Sequence, residues 1–384
     1  MAASPLPTVA EDAPLPSGTS QPPDFDPVEY YGQLLQRDEP LPAPVAAVET
    51  LAELVSRSAA STIQELLAVL REASASLADA SFNPVSTTSG TALFIRYLTL
   101  QRPETSFREF KAELVQKARE FVKGSGRCRE LIARNMSDFI RDGNTILVHS
   151  YSRVVVQALL YAAQTQKKQF SVYVTESRPF GLGLKTHAIL TEAGIPCIVV
   201  LDSAVAYIMS RCDMAVVGAE AVCESGGLVN FIGGYQMAIA AKALNKPLYA
   251  LAESFKFTRL FPLSQTDIPS SLPSAPLTFP AASDLFSAKS TSIPATPVRP
   301  MIGSKMPDAL EMSDEATRHN PILDYTTPEM VRPDPLPSSA SSPSPIADAG
   351  SPPLVLQVSL LVSDVGVLTP SGVSDALLAT FGGE

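Results

Sequence analysis

From Thr145 to Glu253 the chain alternates short apolar runs with amphipathic stretches. Thr145–His149, Phe170–Thr175, Pro196–Leu201, Met214–Val217 and Pro247–Ala252 are runs rich in Val, Ile, Leu and Ala. Apolar runs of roughly four to eight residues suit strands covered on both faces. Between them, Arg153–Gln164, Gly183–Ala193, Asp202–Cys212 and Gly234–Leu244 predict helices. In the first of these, Val154, Val155, Ala158, Leu159 and Ala162 share one face. The alternation predicts right-handed crossovers and a Rossmann-like, open parallel sheet with helices on both faces.

Ahead of the sheet, residues 28–142 read as a helical domain. Pro44–Ser58 spaces Val45, Val48, Leu51, Ala52 and Val55 as a helix does. Thr62–Ser76 carries Ile63, Leu66, Leu67 and Leu70, with Ser61 or Thr62 as cap and Glu65 completing a capping box. Thr88–Leu100 is a third helix, and Ser106–Lys123 a fourth that Gly124-Ser-Gly126 should end. Cys128–Ile140 comes next as a separate helix, with Arg141–Asn144 turning into the first strand. These stripes suit a packed core first and a partner face second.

Residues 1–27 are Pro-, Ala- and Ser-rich and read as a disordered tail. Residues 143–384 form one α/β domain carrying disordered Pro-rich insertions at about 269–318 and 333–352. These segments read as insertions because core-forming stretches come after each of them. Asn320–Val331 reads as ordered, and Leu354–Val362 is a long apolar strand. Thr369 and Pro370 then cap and start a last helix, whose Leu377, Leu378 and Phe381 should cover the sheet. The Pro-rich loops read chiefly as spacers, with Ser-Pro and Thr-Pro sites open to phosphorylation.

Composition narrows the classes. The 384 residues are 45% hydrophobic and 18% charged, enough for a sizeable core, and the net charge is −10. That balance argues against a direct nucleic-acid binder, which carries a basic face. Cys128, Cys197, Cys212 and Cys223 form no CxxC pair, and His149, His187 and His319 are far apart, so no zinc spacing exists. Reduced thiols are expected. The beginning of the chain has no secretory pattern and no apolar run is long enough to span a bilayer, so a cytosolic protein is expected.

The chemistry gathers where the strands end. Ser150-Tyr-Ser-Arg153, Glu176-Ser-Arg-Pro179, Asp202-Ser203, Gly218-Ala-Glu220 and Glu253-Ser-Phe-Lys256 each follow a predicted strand. Ligands of doubly wound sheets sit outside the carboxyl ends of the strands, and helix N-termini there favour anions. Two arginines among hydroxyls predict a small phosphorylated ligand; the alternative is that these polar residues only cap helices. Phe180-Gly-Leu-Gly-Leu-Lys185 follows the second strand with spacing wrong for a dinucleotide or P-loop motif. An unrelated nucleotide-binding α/β protein is therefore disfavoured.

Several longer stretches carry a resemblance. His149-Ser-Tyr-Ser-Arg-Val154, Tyr173-Val-Thr-Glu-Ser-Arg-Pro179, Val200-Leu-Asp-Ser-Ala-Val205, Val217-Gly-Ala-Glu220, Leu248-Tyr-Ala-Leu-Ala-Glu-Ser-Phe-Lys256 and Val367-Leu-Thr-Pro370 resemble the alpha subunits of eukaryotic translation initiation factor 2B. Thr88-Ser-Gly-Thr-Ala-Leu-Phe-Ile-Arg96 is similar too. The likeness covers 28–268, 320–331 and 354–382, and leaves the Pro-rich segments outside. It implies a regulatory, non-catalytic subunit of the guanine-nucleotide exchange factor for translation initiation factor 2. Such a subunit is a homodimer bridging a decamer with beta, gamma, delta and epsilon subunits. It senses the phosphorylated alpha subunit of factor 2, largely through its helical domain. The resemblance implies no metal, no direct nucleic-acid contact and no membrane.

Sugar-phosphate isomerases, such as methylthioribose-1-phosphate isomerase, share the superfamily and give the alternative function. Their active site resembles a His-Cys-Asn stretch and a Gly-Ala-Asp stretch. Here those places read His149-Ser150-Tyr151 and Gly218-Ala219-Glu220. A serine hydroxyl is a far weaker acid than a thiol, and Glu moves the carboxylate by a methylene. By resemblance, Ser150, Ser152, Arg153, Arg178, Glu220 and Asn230 line a pocket for a sugar phosphate or nucleotide acting as regulator. Asn230-Phe-Ile-Gly-Gly234 departs from the relatives' Asn-Lys-Ile-Gly-Thr, losing a cation and a hydroxyl.

Overall fold

The computed structural model describes residues 25–37, 41–101, 106–269, 321–331 and 360–382, with side chains up to Leu377. Five helices open the chain: α1 (Pro27–Leu35), α2 (Ala43–Arg57), α3 (Ile63–Ala80), α4 (Pro84–Leu100) and α5 (Phe107–Ser137). Their starts are chemically marked. Asp26 accepts from the Val28 N–H, Thr62 from Glu65, and Asn83 from Ser86, each satisfying an N–H that the helix leaves unpaired. Ser106 and Glu109 form a full capping box. Leu34, Leu51, Leu54, Leu66, Leu70, Leu98 and Leu114 pack between the helices and are fully or almost fully buried.

The expected stop at Gly124-Ser-Gly126 does not occur: α5 runs unbroken for 31 residues. Each glycine costs a helix roughly 1 kcal/mol against alanine. Packing at both ends outweighs that cost. Phe110, Leu114, Val115 and Ala118 are buried in the helical core, whereas Ile132, Ala133 and Met136 are buried in the core of the sheet. Burying one large aliphatic side chain is worth about 1.5–3 kcal/mol. The glycine pair marks the place where the apolar stripe leaves one core and enters the other.

The sheet strands are β1 (Thr145–Val148), β2 (Ser171–Thr175), β3 (Cys197–Val200), β4 (Met214–Gly218), β7 (Leu248–Leu251), β10 (Leu360–Ser363) and β11 (Gly366–Leu368). Their order is β11-β10-β7-β4-β1-β2-β3, parallel except for β11. Side chains alternate as a pleated strand requires. Leu147 faces one layer with Ala215, Val217 and Ala250, covered by α8 (Val205–Met209), α9 (Gly234–Ala243) and α11 (Pro370–Gly382). Ile146 and Val148 face the other with Val172 and Val216, covered by α5, α6 (Arg153–Leu160) and α7 (Leu182–Glu192). The chain steps outward from β1 to β3, then returns to β4 on the other side of β1, so the topological switch point lies between β1 and β4.

Some details differ from the sequence reading. The stretch Asp202–Cys212 is a 3₁₀ turn followed by the short α8, and α6 ends in a π turn, Tyr161–Thr165. A second, four-stranded sheet of order β8-β5-β6-β9 was not foreseen; it is formed by β5 (Ala221–Cys223), β6 (Leu228–Phe231), β8 (Phe257–Thr258) and β9 (Leu323–Thr326). These strands are too short for a periodic signal. A single helical turn, α10 (Pro328–Val331), comes after β9. Of the tail 1–27, residues 1–24 lie outside the described residues. So do all but residue 269 of the insertion 269–318, all of 333–352, His319, Asn320, residues 354–359 of the predicted last strand, and the side chains of Leu378 and Phe381. Val373 and Leu377 do cover the sheet. The cysteines are free, and burial pushes the Cys223 thiol up to about 12. Among the described residues no helix is long and apolar enough to cross a membrane, and no His, Cys, Asp or Glu cluster could hold a metal ion.

Candidate functional site

The loop after β1 is held rigidly from beneath. Ser150 sits at φ 57°, an uncommon conformation for a residue with a Cβ. Its N–H donates to the Thr175 hydroxyl at 3.2 Å, and its carbonyl accepts from the Thr186 hydroxyl at 2.8 Å. The Thr175 hydroxyl lies 2.9 Å from His149 Nδ1, and His149 Nε2 lies 3.2 Å from the Phe231 carbonyl. One assignment satisfies the whole chain: Nε2–H donates to the carbonyl and Nδ1 accepts from Thr175. Burial pushes the His149 pKa down, consistent with a neutral ring. The Ser150 hydroxyl has no hydrogen-bond partner among the described residues.

This platform delivers Tyr151, Ser152 and Arg153 to the switch point. There they line a cleft of about 620 Å³ with Glu220, Phe231, Glu253, Lys256, Lys185 and Arg129. The volume is within the range of small-molecule sites. Gly218 allows the close approach of β4 to the start of α6, since a Cβ there would lie 2.3 Å from Ser152 Oγ. The helical bundle closes the cleft through Pro42, Ala43 and Ser86, and Asn83 Nδ2 donates to Glu220 Oε2 at 2.8 Å. Lys256 donates to the Ala219 carbonyl at 2.9 Å and lies 3.2 Å from Glu253, an ion pair without hydrogen-bond geometry. The Lys185 ammonium sits 4.3 Å from the centre of the Tyr151 ring.

The charge balance of this cleft is cationic. Arg129, Arg153, Lys185 and Lys256 face it against Glu220 and Glu253. Burial, and then the charge of Arg129, pull the Arg153 pKa below the usual guanidinium value; Glu253, Tyr151 and Glu220 pull the other way. Guanidiniums brought together at a helix start favour an anion between them.

A second cleft of about 580 Å³ opens beside the first and is lined by Arg178, Asp202, Ile232, Gly233, Gln236 and Asp324, among others. Asp202 accepts from the Ser177 and Arg178 N–H groups at 2.9 and 2.8 Å. Asp324 Oδ2 accepts from Gly233 N–H at 2.7 Å and Tyr235 N–H at 2.9 Å, so a carboxylate occupies the start of α9. Burial pushes Asp324 up to about 7, against the pull of those N–H groups. Phe231 lines the first cleft while Ile232 and Gly233 line the second, so this short segment divides them.

The six residues predicted to line one pocket are therefore distributed. Ser152, Arg153 and Glu220 come together at the switch point. Arg178 belongs to the second cleft. Ser150 and Asn230 are buried, 3% and 5% exposed, and line neither cleft. The sequence reading did not select Arg129, Lys185, Glu253 or Lys256. Three of these stand inside the stretches Phe180–Lys185 and Glu253–Lys256, which strand-end chemistry does single out. Arg129 follows no strand, so strand-end chemistry could not select it; α5 carries it to the cleft.

Among known proteins, a model of the Initiation factor 2 subunit family matches residues 40–333. The chain is 35% identical over 363 residues to a translation initiation factor eIF2B subunit alpha of Dictyostelium discoideum, covering 93% of this chain and 98% of that one. It is 31% identical over 212 residues to a ribose 1,5-bisphosphate isomerase of Methanocaldococcus jannaschii, covering 55% of this chain and 66% of that one. Among solved structures it resembles the tetrameric eIF2B-beta2-delta2 complex of C. thermophilum, with a TM-score of 0.62 and 18% identity over 92% of this chain and 93% of that one. A Pyrococcus horikoshii translation initiation factor eIF-2B has a TM-score of 0.60 and 19% identity over 90% and 97%. At such identities the solved structures speak for the fold alone.

Proposed function

The chain belongs to the Initiation factor 2 subunit family, and from that premise we propose that it is the regulatory alpha subunit of the guanine-nucleotide exchange factor for translation initiation factor 2. The observation that carries this reading is the near end-to-end similarity to a eukaryotic alpha subunit. The subunit works in the cytosol. It pairs with itself, joins the beta, gamma, delta and epsilon subunits, and senses the phosphorylated alpha subunit of factor 2.

Particular surfaces support the finer parts. Among the described residues β3 ends the sheet, and Ile198 on it, Leu201 just after it and Tyr207 on α8 stand 56%, 59% and 66% exposed. An apolar patch beside an unpaired strand edge fits a second copy. For the phosphorylated partner, Arg71, Arg96 and Arg259 surround a groove of about 640 Å³ with the hydroxyls of Ser74, Thr88 and Thr91. Clustered guanidiniums are suited to a phosphoryl group.

The similarity to isomerases keeps sugar-phosphate isomerisation as the second reading. The geometry of Ser150 weighs against it. Its hydroxyl has no base beside it, since His149 is engaged by Thr175 and Phe231. An unassisted serine is a poor proton donor and a poor nucleophile. The cleft then serves a regulatory sugar phosphate or nucleotide, held by Ser152, Arg153 and the neighbouring cations, with Glu220 for hydroxyl groups.

The test is affinity capture of the tagged chain from its own cytosol, with mass spectrometry of the proteins that accompany it. Stoichiometric beta, gamma, delta and epsilon subunits are expected. A chain recovered without them, and turning over a sugar phosphate, would overturn the reading.

A further inference from the structure

The turn after β7, Glu253-Ser-Phe-Lys256, faces two cavities at once. Glu253 and Lys256 line the anion cleft, whereas Ser254 and Phe255 line an apolar chamber of about 300 Å³ on the other side. The chamber lies among α2, α4 and α5, and Leu93, Phe94, Tyr97 and Phe121 form its walls. The Phe121 and Phe255 rings meet edge to face, 6.1 Å between centroids. Lys117 stands at the rim, half exposed, and its ammonium is 3.3 Å from Glu120. Exposed pairs of this kind are worth little, so the ammonium can turn to another anion at small cost.

We propose that this chamber is a second ligand site, taking a small aromatic carboxylate, and that the Glu253–Lys256 turn couples it to the anion cleft. The size sits at the lower end of ligand sites, which suits one or two fused rings. Phenylalanine and tyrosine walls accept a flat ring edge-on or offset. The carboxylate meets Lys117 at the rim. Coupling arises from how tightly the turn is tied. The Ser254 N–H and hydroxyl both donate to Asp364, at 2.7 and 2.8 Å, and the Ser89 hydroxyl lies 3.3 Å from the Phe255 carbonyl. A ring pressing on Phe255 therefore displaces Glu253 and Lys256 through a short, braced segment. The coupling half rests on the anion-cleft reading above; the binding half does not.

Naphthoate titrated into the full chain by calorimetry tests both halves. One site with a dissociation constant on the order of 0.1 mM is expected. Ala118→Phe fills the chamber and should abolish binding. Lys117→Gln, a surface change that leaves the fold intact, should weaken it about fivefold. Saturating inorganic phosphate should change naphthoate affinity at least about threefold, and naphthoate should change phosphate affinity by the same factor. No naphthoate binding, or binding indifferent to both substitutions, overturns the site. Naphthoate binding that ignores bound phosphate overturns the coupling. Phosphate that does not bind at all removes the anion cleft, and the coupling with it, and leaves the chamber to be judged by the two variants.

Discussion

Two clefts share one edge of the sheet, and they use similar residues to opposite ends. At the switch point, Arg129, Arg153, Lys185 and Lys256 gather at the start of α6 and leave it open to an incoming anion. Beside it, the start of α9 is already filled by the Asp324 carboxylate. Arg178 faces that second cleft, beside the carboxyl groups of Asp202 and Asp324. On this account an arginine following a strand does not by itself mark an anion site. The deciding feature is whether the neighbouring helix start has been capped from within the chain.

The division itself is the most sensitive point. Gly233 has φ 111°, and a Cβ there would lie 2.7 Å from His149 Cε1. Gly233→Ala should cost about 3 kcal/mol, read as a lower midpoint in urea, and should disturb both clefts. Gly143→Ala, at φ 82° with nothing near, separates backbone strain from close approach and should cost only about 1 kcal/mol.

The Asp324 cap makes stability depend on pH. Its carboxyl is held at about 7 when folded against 3.8 in the free group. The folded chain thus holds more protons than the unfolded chain between those values. The contribution of this group is fully present below about pH 4 and is lost as pH rises through about 7, by no more than roughly 4 kcal/mol. Denaturant titrations of the wild type should show this fall relative to Asp324→Asn, which keeps an acceptor for the α9 N–H groups. The difference curve matters, because the lowered carboxyls of Glu65 and Glu109 work in the opposite sense at lower pH.

A further effect concerns the wall. Phe231→Lys puts a cation in the first cleft and should tighten inorganic phosphate binding about tenfold by calorimetry, leaving the second cleft unchanged.

Much of the frame was legible. Alternating apolar runs located β1, β2, β3, β4 and β7, and the caps at Thr62 and Ser106 arise from local chemistry that needs no tertiary context. Gly124 misled because propensity is local, whereas α5 is held by two cores at once. The second sheet escaped notice because β5 and β8 span three and two residues, too few for a period. Ser152, Arg153 and Glu220 share one cleft because the loops that carry them follow the two strands flanking the switch point. Arg178 follows a strand too, but which helix start its neighbours occupy depends on Asp324, well over a hundred residues later in the chain.

The claim that, of these two neighbouring clefts, the switch-point one takes the anion is tested most directly by titrating inorganic phosphate into Arg153→Ala and Arg178→Ala side by side. Loss of a charged hydrogen bond is worth about 1.5–3 kcal/mol, so Arg153→Ala should weaken binding roughly 10- to 100-fold. Arg178→Ala should stay within about twofold of wild type. Equal losses in the two variants, or none in Arg153→Ala, would contradict the assignment.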